Sequence, residues 1–231
     1  MPIGPLIRSA AGPWEHQFAE LYRRIFIDLD DFAALIYTWV PGPRRILEVG
    51  CGEGAMTERL VRTYPLAAIT AIDITPRIGR LYQGDRSSVT FAQESVESVA
   101  ARQPTSFDLV VLADVMHHVP PAARASLLAA IRQSLAPGGS LALKDWIISP
   151  SLIHWLCRFA DMYITGDSVS YFTVTAMDSM LAEVFGDDTI RERATVPPWH
   201  NNVALLIQPF EPRSFASSVS RPSLHRTEDA T

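Results

Sequence analysis

Apolar positions recur at three- and four-residue spacing near the start of the chain, where Trp14, Phe18, Leu21, Tyr22, Ile25 and Phe26 form one stripe. That spacing predicts a helix over 14–40. An acidic stretch at 28–31 interrupts it, Phe32, Leu35, Ile36 and Trp39 resume it, and Pro41-Gly42-Pro43 stops it. From Arg45 the pattern changes. Short apolar runs at 46–49, 69–72, 89–92, 109–112 and 141–143 read as strands, and 55–64, 76–82, 95–102 and 122–135 between them as helices. This alternation predicts an α/β fold, doubly wound, with a parallel sheet covered on both faces.

The rhythm breaks after the fifth strand. Residues 151–172 are rich in aromatics, with Trp155, Phe159, Tyr163 and Phe172 among them. Thr175 to Asp178 has the form of a capping box, opening a helix that Gly186 closes. Two last strands, 190–196 and 203–207, flank Pro197-Pro198-Trp199-His200-Asn201-Asn202. If the first of these is parallel to the others and the second antiparallel, that turn lies at the same edge of the sheet as the other strand ends. The tail from 211 is rich in Ser, Arg and Pro and is expected to be unstructured. The division expected is a helical cap over 1–43, a main domain over 44–210 with a lid insertion over 149–174, and the tail over 211–231.

Composition narrows the classes. The chain has 231 residues, 48% hydrophobic and 19% charged, which excludes a disordered polymer. Twenty basic against 25 acidic residues leave no basic footprint for nucleic acid. No apolar run reaches the roughly 18 residues a membrane helix needs. The first residues lack a signal-peptide pattern, and two cysteines, Cys51 and Cys157, do not make a disulfide framework. A cytoplasmic setting is expected. Of the 20 basic residues only Lys144 is lysine.

Leu47-Glu48-Val49-Gly50-Cys51-Gly52-Glu53-Gly54-Ala55 carries a strand into a glycine-rich turn and a helix. Glycines belong where the chain turns tightly and a ligand comes close. Gly50-x-Gly52-x-x-Ala55 is also a passable dinucleotide fingerprint, so the loop leaves a nicotinamide-dependent oxidoreductase open. Charge separates the two. A pyrophosphate would sit at the helix N-terminus, where Glu48 and Glu53 repel it; an ammonium and a sulfonium, as in S-adenosylmethionine, suit them.

The sequence resembles the class I S-adenosylmethionine-dependent methyltransferases, in particular their small-molecule branch. The glycine loop looks like the family's first motif, Ala71-Ile72-Asp73-Ile74 its acidic second strand, Phe107 to Val119 its fourth-strand motif, and Leu135 to Leu141 the turn before strand five. The resemblance implies a Rossmann-like sheet of seven strands, the last antiparallel, with S-adenosylmethionine as cofactor. It places Glu48, Gly50, Cys51 and Gly52 along the methionine end, Asp73 on the ribose and Ile74 against the adenine. Ser95 stands where the family more often has Asp, which leaves adenine recognition to Ser95, Glu94 or a backbone amide, with Val96 and Ala113 beside the cofactor. Cys51 is a small loop residue, not a nucleophile.

The activity this implies is methyl transfer to a small molecule, most readily at a hydroxyl of a sugar, polyketide or phenolic metabolite. A hydroxyl acceptor calls for a base near neutral pH. His117 and His118 after strand four are candidates, and His200 in the late turn is another. Asp145 at the end of strand five is placed to orient a histidine or bind a substrate hydroxyl. Lys144 is expected to pair with a carboxylate, either at the site or as an exposed ion pair of little consequence. No metal is assigned, although Asp114, Asp145 and His118 could be assembled into a metal site. The aromatic insertion is expected to cover the acceptor with one face and to pack on the domain, or on a second subunit in a homodimer, with the other. A non-catalytic methyltransferase-like scaffold is the remaining alternative.

Overall fold

The computed structural model describes residues 28–148, 169–198 and 201–209. The stripe from Trp14 to Phe26, most of the 149–174 insertion, Trp199, His200 and the tail lie outside the described residues. Asp28 is the N-cap of α1 (Leu29–Trp39), its carboxylate accepting the Asp31 N–H at 2.9 Å. The acidic stretch at 28–31 is therefore a helix start. Asp30 and Asp31 occupy the first turn, where the helix dipole favours carboxylates.

Seven strands follow: β1 (Arg45–Val49), β2 (Ala68–Asp73), β3 (Val89–Gln93), β4 (Phe107–Ala113), β5 (Leu135–Trp146), β6 (Ile190–Thr195) and β7 (Asn202–Ile207). They form one sheet in the order β3-β2-β1-β4-β5-β7-β6. β7 runs antiparallel to both β5 and β6, so β6 is parallel to the rest. The central strands are covered on both faces, and for that reason they read as continuous apolar runs. Helices α3 (Val96–Arg102), α4 (Pro121–Ser134) and α5 (Val174–Phe185) pack with Leu47, Val110, Leu143 and Leu205 on one face. Helices α1 and α2 (Ala55–Thr63) pack with Ile46, Ile69, Val111 and Ala204 on the other. Residues such as Leu47 and Ile46 are fully buried, each contributing roughly 1.5–3 kcal/mol by transfer from water.

Three expectations need correction. Residues 76–82 form a turn, not a helix: Gly79 takes a positive φ, and Tyr82 anchors the segment by packing on Phe91 at 5.2 Å between ring centres. The cap of α5 is Thr173, whose side chain accepts the Ala176 N–H, while Thr175 lies inside the helix. Asp178, the acid of the expected capping box, pairs instead with Arg193 of β6. β5 is also much longer than the 141–143 apolar run, because it gains partners on both sides, β4 and β7.

Candidate active site

The glycine loop is held by backbone bonds before any ligand is considered. Gly50 and Cys51 donate to the Ile72 carbonyl at 2.8 and 2.9 Å, and Gly52 donates to the Asp73 carboxylate at 2.8 Å. Gly79 donates to the Gly52 carbonyl at 2.9 Å, fastening the 78–82 turn beneath the loop. Gly50 has φ +75°, and a Cβ there would lie 2.3 Å from a Val115 methyl. Only glycine permits this approach.

Two cavities open along the edge where β1, β2 and β4 end. The larger, about 730 Å³, is bordered by Gly50, Asp73, Ile74, Ser95, Val96 and His118. The smaller, about 190 Å³, is bordered by Leu29 of α1, Glu48, Gly50, Cys51, Gly52 and Ala113, with Glu53 at its edge. Val49, Gly50 and Asp114 belong to both, so the two meet at the 114–115 corner. Each residue expected at a cofactor therefore borders one cavity or both.

The carboxylates differ in state. Asp73 is aimed by two backbone donors, Gly52 on one oxygen and Thr75 on the other, both at 2.8 Å. Each oxygen keeps a further lone pair for a ligand hydroxyl. Burial pushes the Glu48 carboxyl up to about 7, the hydrogen bond donated by the Thr57 hydroxyl at 2.6 Å draws it down in part, and nearby Asp73 pushes it up again. Glu53 pairs with Arg80 at 2.6 Å, so it contributes less negative charge than the sequence suggested. Burial pushes the Cys51 thiol up, and Glu48 and Asp73 push it further, which leaves it inert as a nucleophile. Ser95 caps α3 through the Ser98 N–H, and Glu94 is held by two hydrogen bonds from Arg102. Both residues border the larger cavity, with side-chain partners already in place.

The two histidines occupy unlike positions on one 3₁₀ turn (Met116–His118). His118 is exposed and borders the larger cavity. His117 is buried, its ring stacked on Tyr171 at 5.5 Å and its Nδ1 2.5 Å from an Asp145 oxygen. Burial alone would raise the Asp145 carboxyl, but His117, the Trp146 N–H and Lys144 outweigh it and hold it below the usual carboxylate range. Asp145 is therefore ionised at neutral pH. Neither His117 nor Asp145 borders the two cavities described. Asn202 is buried opposite Trp146 in the β5–β7 register.

Sequence reasoning left the partner of Lys144 open. Its ammonium meets both oxygens of Asp114, at 2.7 and 2.8 Å, and its side chain is fully buried, so it is not an exposed ion pair. The only signal of this in the sequence was that Lys144 is the single lysine. Asp114, Asp145 and His118 do not converge as a metal set: Lys144 and Asp145 project to opposite faces of β5, each with its own partner. Among the described residues no group of three or more His, Cys, Asp or Glu is arranged to hold a metal ion. No helix among them is long and apolar enough to cross a membrane.

Comparison with known proteins agrees with this geometry. Residues 46–139 match the family model described as a methyltransferase domain. A ubiquinone biosynthesis O-methyltransferase of Xanthomonas campestris pv. campestris is 38% identical over 129 residues, which are 54% of this chain and 51% of that protein. The chain thus spans about half the length of this curated relative. A crystal structure of the Burkholderia thailandensis 1,6-didemethyltoxoflavin-N1-methyltransferase, bound to 1,6-didemethyltoxoflavin and S-adenosylhomocysteine, shares the fold with a TM-score of 0.64 at 18% identity. The match covers 90% of this chain and 88% of that one. The S-adenosylmethionine-dependent methyltransferase SibL, in its apo form, gives a TM-score of 0.68 at 17% identity over 87% of this chain and 61% of that one. Residues 46–139 thus match a methyltransferase domain, and the described fold is shared with S-adenosylmethionine-dependent methyltransferases of known structure.

Proposed function

We propose that the protein transfers a methyl group from S-adenosylmethionine to a hydroxyl of a small-molecule acceptor. The observation that carries the reading is the pair of joined cavities: a long one with an aimed carboxylate, Asp73, and a short one floored by a buried carboxyl, Glu48. A nucleoside fits the first and a cationic amino-acid end the second. Ile74, exposed by 74%, offers the flat apolar contact an adenine needs. Oxygen as the acceptor atom is supported by the name of the Xanthomonas relative, while the Burkholderia neighbour, named for an N1 transfer, keeps nitrogen as the second reading.

The cofactor supplies an electrophilic methyl on a sulfonium. The chain's own residues bind, orient and manage a proton. Asp73 would accept hydrogen bonds from the two ribose hydroxyls, its carboxylate aimed by the Gly52 and Thr75 N–H groups. Glu48 ionises against the incoming ammonium. In its neutral form His117 would donate from Nδ1 to the ionised Asp145, with Nε2 the basic nitrogen of that tautomer. That nitrogen would take the acceptor's proton as the methyl carbon is attacked in line. His118, on the cavity wall, would pack beside the cofactor.

Calorimetric titration tests the cofactor part. Micromolar-range binding of S-adenosylhomocysteine without binding of NAD supports the reading, and the reverse sinks it. Asp73→Ala should weaken S-adenosylhomocysteine binding by roughly ten- to a hundredfold, the worth of hydrogen bonds to a charged group, with thermal stability little changed. Unchanged affinity would move the ribose elsewhere. For the base, conversion of S-adenosylmethionine to S-adenosylhomocysteine with a panel of phenolic acceptors should fall by about 10²–10⁴ in His117→Ala, with cofactor affinity intact. A loss confined to His118→Ala or His200→Ala would transfer the role to that residue. Undiminished turnover in all three would mean catalysis by positioning alone.

A further inference from the structure

The Lys144–Asp114 pair has no part in the steps above, yet it is built with unusual care. Lys144 is fully buried, and its ammonium reaches both oxygens of Asp114. The two residues are joined a second time through the main chain, where the Asp114 N–H donates to the Lys144 carbonyl at 2.9 Å. Asp114 has φ +57°, in the left-handed region that favours glycine and that Asp tolerates better than most residues with a Cβ. It borders both cavities, and Val115 beside it closes on Gly50.

We infer that Lys144 is a positioning residue for the cofactor, holding the 114–115 corner in the form that makes the wall shared by the two cavities. This inference rests on reading those cavities as the S-adenosylmethionine site. It differs in sign from a simple charge effect. Removing the lysine exposes an additional negative charge beside a site for a cationic ligand, so electrostatics alone would tighten binding. Loss of the corner's shape would weaken it.

Titration of Lys144→Gln with S-adenosylmethionine and with S-adenosylhomocysteine separates the two. The expected result is weaker binding of both ligands, by roughly tenfold or more, the scale on which supporting contacts act. Unchanged or tighter binding of either ligand overturns the inference. Should that variant not fold, Lys144→Met combined with Asp114→Asn removes both charges and restores thermal stability toward wild type. Its affinity should stay at least roughly tenfold low on the same scale, and wild-type affinity would reduce the pair to charge compensation. Failure of the wild-type protein to bind either ligand would instead strike the cofactor reading itself.

Discussion

Gly50→Ala should abolish measurable S-adenosylhomocysteine binding and destabilise the fold by about 2–4 kcal/mol, the sum of a left-handed backbone penalty and overpacking. For a chain of this size that is a fall in Tm of roughly 5–15 °C. The cause is local. A Cβ at Gly50 would stand 2.3 Å from a Val115 methyl, and the corner that must yield is the one that walls both cavities. Gly52→Ala is the control. Its φ of +50° carries the same kind of backbone penalty, but nothing lies within 4 Å of the added carbon. Thermal unfolding and calorimetric titration of the two variants should therefore diverge; equal losses would mean that contact with Val115 is not what makes Gly50 obligatory.

Glu48→Gln should stabilise the protein and impair it together. Burial holds the Glu48 carboxyl at about 7, above its ordinary value of 4.5, so the native state binds this proton more tightly than the unfolded chain does. The group costs nothing below about pH 4.5, costs more as pH rises through 7, and above that lowers stability by about 3 kcal/mol. Glutamine removes this dependence. At pH 8 the Tm should rise by roughly 5–10 °C, and at about pH 4 the two proteins should unfold alike. On the proposed reading the same change removes the partner of the cofactor's ammonium and weakens binding by roughly ten- to a hundredfold. Absence of a gain at pH 8 would show that Glu48 is not the group resisting ionisation.

The central strands were legible because burial on both faces leaves an apolar run in the sequence, and the glycine loop because its turn demands glycine. Features set by distant partners were not. Pro76, Ile78 and Tyr82 imitate a helix start and stripe, and only the packing of Tyr82 on Phe91 and the bond from Gly79 to Gly52 make that segment a turn. Thr173 and Thr175 are both competent caps. Thr173 takes the cap, and Asp178 pairs with Arg193, 15 positions away. Glu53 looked like part of a cation site until Arg80, 27 positions on, was found against it. The difference between His117 and His118 is the clearest case: neighbours in sequence, they part because Asp145 comes from another strand.

The place of β7 bears on how the molecule is made. Among the described residues β6 pairs with β7 alone, and β7 lies between β6 and β5. The four strands β3-β2-β1-β4 can zip together as soon as residue 113 has emerged during synthesis, each gaining its neighbour in turn. β6 has no such opportunity. It is made before β7, and its charged residues Arg191, Glu192 and Arg193 suit a strand that waits in water without recruiting a foreign edge. Past the end of β6, the Pro197 carbonyl accepts the Asp28 N–H at 3.2 Å, which ties the start of α1 to the segment that leads into β7.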